Sequence, residues 1–397
     1  MREVEPFLRP GMETDLPESS MPMPGDSILS HFAVLEDPRS DIGLLYPLEA
    51  LMVLALCGVI CGADSWVEVA EWAEANQPWL ETIVDLPHGT PSHDTFSRFF
   101  SMLNPHQLQA CFASWTAAFA EQTAGEVIAI DGKTLRRSFD RASRKAAIQM
   151  VSAWATRNRL VLAQIQVDED SNEITAVPAL LRLLSLKGAI VTLDAMGCQK
   201  AIAAQIVDQG GDYLLRVKAN HPTLHAQLQT HFAEAHARDF ADQTCARAET
   251  LERSHGRLEE RRIWTTPVPT SVAQQEAWRG LQSVSKVVRI RTCGDQTSVE
   301  EAYYVSSLRY DNAPQLLSGV RAHWGIENQV HWCLDMAFRE DDSRIRKGNG
   351  PANMAVLRHM ALNLVRKEKT PKLSLRVKRK LAGWKSSFLM RILGVSS

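Results

Sequence analysis

Three acids stand out in this sequence by type and by setting. Asp131 closes the apolar run of "EVIAID", and Asp194 closes that of "GAIVTLD". A carboxylate at the end of a buried strand is a hard oxygen donor, suited to Mg²⁺, which few protein carboxylates hold together with water and substrate phosphates. Phosphodiester chemistry with a pair of such ions calls for about three converging carboxylates. Glu327, in "AHWGIENQVHW", is the candidate third acid. Asp335, Glu340, Asp341 and Asp342 are its rivals, and "EDD" also reads as a solvated loop or cap. Asp212 begins its strand rather than ending it, and the acids of "VDEDSNE" sit at a strand-to-helix turn, where they read as caps.

A single strand-end aspartate is ordinarily a turn or cap residue. Two of them in one sheet shift the reading toward a metal site. A second chemistry is open as well: His323, Glu327 and His331 are spaced four apart, so they share one face of a helix and could bind a transition metal. The arrangement is not HExxH, and a neutral His that orients a metal-bound Glu or contacts phosphate fits it better than a zinc hydrolase. Behind Asp131 come Gly132, Lys133, Arg136 and Arg137. If the carboxylate is one leg of a metal site facing a polyanion, and not ordinary turn chemistry, the glycine leaves room beside it; the cations either line the path of that polyanion or face water.

These residues need elements to position them. Residues 1–25, rich in Pro, Met and acids and without periodicity, are expected to be disordered. Residues 26–123 read as a small helical domain: a buried helix over Leu45–Cys61, a second over Ser65–Ala75, a third opened by Thr90-Pro91-Ser92 and a fourth from Pro105. Short helices joined by tight turns are compatible with a helix-turn-helix that touches DNA, and equally with packing alone. From 124 to 220 the pattern changes to strands at Val127–Ile130, Met150–Thr156 and Leu160–Val167, then helix, strand, helix, strand. That order predicts a mixed sheet that begins as a meander and continues with right-handed crossovers, its ligand site beyond the carboxyl ends of strands. Residues 221–310 read as a β-rich insertion after one helix. Residues 311–368 return to helix, with a break expected at Gly325, and 369–397 form a basic tail.

Composition is that of an ordinary globular protein, 45% hydrophobic and 23% charged, at a length that allows two or three domains. A formal net charge of −2 hides an asymmetry: from Ser343 onward there are 14 cations and one acid, Glu368. Such a polarised chain expects a polyanion at its basic end. The seven cysteines contain no CxxC pair, which argues against a zinc ribbon, and their scatter fits a reducing cytoplasm. The most apolar run, Ala50 to Ala63, is too short to span a bilayer, and without a basic stretch followed by an apolar one at the start no secretory signal is expected.

Taken together, "AIDGKTLRRS", "VTLDAMGCQK" and "HWGIENQVHWCLDMAFRED" resemble the DDE transposases of bacterial insertion sequences, in particular their H-repeat-associated branch. The likeness extends over about Phe32 to Arg366, and includes the amino-terminal stretch from "LEDPRSDIG" to "HDTFSRFF". It implies an RNase H-like catalytic core with Asp131, Asp194 and Glu327 as its acids, holding two Mg²⁺ ions, with Mn²⁺ as a substitute. The gaps of 63 and 133 residues between them fit a family variant with a β-rich insertion before the Glu helix. The resemblance also implies double-stranded DNA partners, the terminal repeats of an element and its target, and a homodimer on DNA.

One departure is visible. Related enzymes carry Tyr-x2-Arg-x3-Glu-x6-Lys around the Glu, whereas these positions here are Val320, His323, Glu327 and Leu334. Arg321, His323 or His331 are the candidates to replace the missing DNA contacts, and Lys133, Arg136, Arg137, Arg344, Arg346 and Lys347 are expected to meet phosphates. The implied activity is cutting DNA at element ends and joining it elsewhere. The alternatives are an RNase H-like nuclease that cuts without joining, and a non-catalytic protein that only binds terminal repeats.

Overall fold

A computed structural model describes residues 31–40, 44–119, 125–140, 145–168, 171–254, 256–272 and 275–394. The expectation of disorder over 1–25 lies outside them.

Helices come first, the longer ones among the described residues being α1 (Leu48–Cys61), α2 (Trp66–Ala75), α3 (His93–Met102) and α4 (Pro105–Phe119). Their boundaries follow local chemistry. Ser65 and Ser92 cap α2 and α3 by accepting from the backbone N–H of Glu68 and Thr95, and Gly62 closes α1 in the left-handed conformation that a side chain would strain. Helix α1 is apolar all round because it is buried all round. Among the described residues no single helix is long and apolar enough to cross a membrane.

The sheet follows: β1 (Val127–Thr134), β2 (Gln149–Ala155), β3 (Leu160–Gln166), helix α5 (Glu173–Arg182), β4 (Ile190–Leu193), helix α6 (Lys200–Asp208) and β5 (Asp212–Val217). β1 to β3 form an antiparallel meander; β4 and β5 then join parallel to β1 through the helical crossovers. This is the expected RNase H-like mixed sheet. After helix α7 (Pro222–Ala237) come β6 (Ala246–Ser254), β7 (Arg257–Pro267), β8 (Ser283–Cys293) and β9 (Gln296–Ser306). These strands do not fold apart from the core. β9 pairs antiparallel with β5, and one nine-stranded sheet results, in the order β3-β2-β1-β4-β5-β9-β8-β7-β6.

One face of the sheet is covered by α5, α6 and α7, around Leu180, Ile206 and Phe232. The other receives α8 (Ala313–His323), α9 (Trp332–Phe338) and α10 (Gly350–Lys367). Helix α10 joins two bodies. Its Asn363 donates to the carbonyl of Val161 (2.8 Å) and accepts from the N–H of the same residue (3.0 Å), pinning edge strand β3. Its Asn353 donates to the carbonyls of Phe100 (2.8 Å) and Leu103 (2.9 Å) at the end of α3. The Leu103 carbonyl also accepts from the Asn349 side chain (3.1 Å); leaving a buried acceptor without a donor costs about 1–3 kcal/mol.

The segment expected as a basic tail is folded. It holds α11 (Leu375–Trp384) and α12 (Ser386–Leu393), which pack on α1. Arg379 is buried, donates to the carbonyl of Val59 (2.7 Å) and to that of Ala337, and lies 3.7 Å from Asp64 and 4.0 Å over the Phe338 ring. Lys378 is paired with Glu368 at 3.2 Å. Composition alone cannot distinguish these two buried cations from solvated ones, because an arginine fork satisfies its donors on backbone carbonyls as readily as on water.

Candidate active site

The acids meet because of register. Ile130 on β1 lies beside Leu193 on β4, and Leu193 beside Leu215 on β5. The next residues along, Asp131, Asp194 and Arg216, therefore reach the same edge. β1 itself does not stop there, as the sequence pattern implied. It continues to Thr134 because β2 still pairs with it, Asp131 facing Ser152; the tip is where β4 departs. Asp131, Asp194 and Glu327 line a single pocket, together with His323, Arg216 and Lys218.

Asp194 also does the turn chemistry expected of a strand-end aspartate. Its Oδ1 accepts from the N–H of Met196 (3.0 Å) and Gly197 (3.3 Å), which orients the carboxylate. Asp131 is pushed up to about 7, first by burial and then by the negative charges of Asp194, Glu173 and Glu327, against the pull of the Gly132 N–H.

Glu327 opens a π-helical turn, Glu327–His331, in which the N–H of Trp332 bonds to the carbonyl of Glu327. The helix breaks at Trp324, beside the expected Gly325, and a widened turn follows from Glu327, a device common at functional sites. Because of it the three side chains that share a face in a regular helix reach different partners. His323 Nδ1 lies 3.1 Å from the Thr192 hydroxyl on β4. His331 Nδ1 lies 3.6 Å from Asp131 Oδ2 on β1, beyond hydrogen-bond length. Burial pushes both imidazoles down to about 4, helped by Arg216 for His323 and by Lys133 for His331, so both are neutral at pH 7. Among the described residues no three His, Cys, Asp or Glu side chains converge closely enough to hold an ion unaided. The pocket fits a hard cation nonetheless: its donors are carboxylates, and an open arrangement suits an ion whose other ligands are water and phosphate.

Sequence reasoning missed Glu173, Arg216 and Lys218. The last two alternate along "DYLLRVK", and only the sheet order could have placed them. Glu173, read as a cap, leaves capping to Asn172, whose side chain accepts from the N–H of Ile174 and Thr175. Its carboxylate lies against Gly132. A Cβ there would sit 2.0 Å from Glu173 Oε1 and 2.4 Å from its Cδ. The room that Gly132 makes is thus filled by an acid of this chain, not held open for ligands.

The cations divide into two groups. Lys133 points inward: its ammonium pairs with Asp335 and, at 2.8 Å, with Glu340, leaving the side chain 12% exposed. Arg136 and Arg137 are paired with Asp341 (3.2 Å) and Asp342 (3.3 Å), and Arg321 with Glu252 of β6 (2.5 Å). The rival acids Asp335, Glu340, Asp341 and Asp342 are accordingly counter-ions, and none lines the pocket. Arg346 donates to the carbonyl of Arg137 (3.1 Å) and stacks 4.7 Å over Phe139. Arg344 and Lys347 are exposed and have no acid partner among the described residues.

Comparison with known proteins adds the following. The family described as "Transposase DDE domain" matches residues 122–364, and "DDE_Tnp_1-associated" matches 29–116. The chain is 38% identical over 375 residues to the Escherichia coli O157:H7 protein YncI, which bears a transposase name, covering 94% of this chain and 95% of that one. It is 36% identical over 374 residues to YhhI of Escherichia coli strain K12, named an H repeat-associated transposase, covering 93% and 98%. A piggyBac transposase in a synaptic complex with hairpin DNA aligns with a TM-score of 0.40 at 10% identity, covering 92% of this chain and 75% of that one, a likeness too low to carry an argument.

Proposed function

Because the chain belongs to the DDE transposases of bacterial insertion sequences, in their H repeat-associated branch, we propose that it cuts DNA at element ends and joins it to a target, with Asp131, Asp194 and Glu327 as its working acids. The observation that carries this reading is the pocket itself: acids from β1, β4 and the π-turn, separated by 63 and 133 residues in sequence, line one cavity.

In the first step water adds to a phosphodiester and a 3′ hydroxyl leaves. In the second that hydroxyl gives up its proton, attacks a phosphodiester of the target and displaces a target 3′ oxygen, which leaves as a hydroxyl. The three acids would hold Mg²⁺, with Mn²⁺ as its substitute, which when bound lowers the pKa of water and takes up charge on phosphate oxygens. The chain's own contributions are orientation and charge. The turn at Asp194 fixes one carboxylate. Neutral His331 packs beside Asp131 without adding a charge. Arg216, tethered to Glu300 at 2.7 Å, and exposed Lys218 present positive charge to the same cavity, where a phosphate would enter.

Arg344, Lys347 and the exposed cations of the carboxyl-terminal helices, Arg376, Lys380 and Lys385, contact phosphates along double-stranded DNA and position it without reading sequence. Joining needs two ends held together, so the form on DNA is a homodimer.

The test is Mg²⁺-dependent cleavage of a labelled duplex carrying the element's terminal repeat, followed by strand transfer into a plasmid. Asp131→Asn, Asp194→Asn and Glu327→Gln are each expected to abolish both. Cleavage without transfer in the parent protein would make it a nuclease. Full cleavage in any of the three variants would overturn the assignment of that acid.

A further inference from the structure

We propose that Glu173 is a fourth carboxylate of the divalent-cation site, set in place by Gln149 and by the absence of a side chain at position 132. This deepens the metal-site reading above and rests on it.

The first position of a helix is a common place for an acid, where it turns toward its own unpaired amides. Glu173 has no such task. Asn172 accepts from the N–H of Ile174 and Thr175, and the Thr175 hydroxyl returns a bond to the Asn172 backbone, so the amino terminus of α5 is already capped by a reciprocal pair. Instead the carboxylate leans away from its helix onto the backbone of β1, one residue past Asp131. Two features hold it there. Gln149, which faces Thr134 across β1 and β2, donates its amide to Glu173 Oε1. Gly132 supplies the space, since any Cβ would overlap the carboxylate. The φ of Gly132 is not in the left-handed region, so what its missing side chain accommodates is this close approach and not a backbone conformation.

Half-buried Glu173 thus stands within electrostatic range of both Asp131 and Asp194. Bringing a further like charge to two carboxylates is unfavourable in a partly buried site. A device of three residues (an acid, a donor that aims it and a glycine that admits it) maintains that arrangement. A hard divalent cation is the ligand class that turns the repulsion into attraction, and the donor set is all oxygen. Gln149 is a positioning residue: it reaches Glu173, and Glu173 reaches the ion.

The experiment is Mn²⁺ binding to the full-length, metal-free protein by isothermal titration calorimetry, with folding checked by circular dichroism and thermal melting. Glu173→Gln is expected to weaken Mn²⁺ by about tenfold or more, and Gly132→Ala, which must displace the carboxylate, to weaken it likewise. Gln149→Leu is expected to fall between these and the parent, whereas Glu173→Asp retains part of the affinity. Asp131→Asn is the control for the site itself. If it abolishes Mn²⁺ binding while Glu173→Gln leaves it unchanged, the fourth-ligand inference fails and the three-acid reading stands. If neither changes it, both fail. Should Glu173→Gln not fold, Gly132→Ala and Glu173→Asp carry the test, and unchanged binding in both overturns the proposal.

Discussion

Ile130 and Leu193 lie side by side in parallel register, and that pairing fixes where Asp131 and Asp194 leave the sheet. The separation of the two acids is thereby set by the strand spacing, about 4.7–4.9 Å between neighbouring backbones, and not by any flexible linker. Removing either carboxylate leaves this scaffold intact. Asp131→Asn and Asp194→Asn are therefore expected to fold as the parent does while losing about 10³-fold or more in cleavage rate, a loss of roughly 4 kcal/mol in transition-state stabilisation. Single-turnover cleavage beside a melting curve separates the two outcomes; a parallel loss of stability would mean that the scaffold depends on the acids.

The proton on Asp131 predicts a pH dependence opposite to that of most carboxylates. Its pKa rises from 3.8 in the unfolded chain to about 7 in the fold. Between those values the folded protein holds a proton that the unfolded chain has released, so stability falls as pH rises through that window. Metal-free Asp131→Asn is expected to be more stable than the parent at pH 8 by about 1–3 kcal/mol, with the advantage shrinking toward pH 4. Metal binding displaces the same proton, so apparent Mg²⁺ affinity should climb up to about pH 7 and then flatten. Titration in two buffers of different ionisation enthalpy measures the protons released. His323 and His331, pushed down from 6.5 to about 4, take up no proton in the folded protein above pH 5 and so add no step to the metal titration there.

Lys133 is expected to matter for stability and not for DNA affinity. Glu340 is 2% exposed, and Lys133 is its close counter-ion. Burial raises the Glu340 carboxyl, but Lys133, His359 and Arg358 together hold it below its ordinary value. Lys133→Ala strands that buried charge, at a cost of about 3–5 kcal/mol in chemical denaturation. Pairing it with Glu340→Gln should recover much of the loss. A change in the salt dependence of DNA binding, with stability unaltered, would restore Lys133 to the DNA path.

The reverse is expected at α11 and its carboxyl end. Arg376, Lys380 and Lys385 are exposed and have no acid partner among the described residues. Replacing all three by alanine should leave the melting temperature within experimental error and reduce the slope of log K against log salt by about 2–3, close to one for each phosphate no longer neutralised. An unchanged slope would place the DNA elsewhere.

Much of this was legible in the sequence. The apolar runs that end at Ile130 and Leu193 announce β1 and β4, and the meander-then-crossover order follows from what separates them. What was not legible depends on partners far away. Lys133 meets Glu340, 207 residues on, and a cation beside a strand-end acid reads the same whether it faces water, phosphate or a buried carboxylate. Glu173 follows a capping Asn, so its local chemistry is complete without the site; only the packing of α5 on β2 and β3 brings it against Gly132. The π-turn at Glu327 widens a helix by one residue, which the periodicity of the surrounding sequence does not resolve, yet it decides that His323 and His331 reach different strands.

Helix α10 has a consequence for how the chain is made. Asn353 closes the carbonyls of α3, 253 and 250 residues earlier, and Asn363 that of β3, 202 residues earlier. A ribosome that has delivered the amino-terminal helices and the first strands has delivered layers whose shared core is still missing its central piece. Neither body can complete its packing until the carboxyl-terminal stretch of the polypeptide emerges, and pairings of such long sequence separation form slowly. The molecule is expected to mature after synthesis rather than during it, with apolar helix α1 depending on chaperones in the interval.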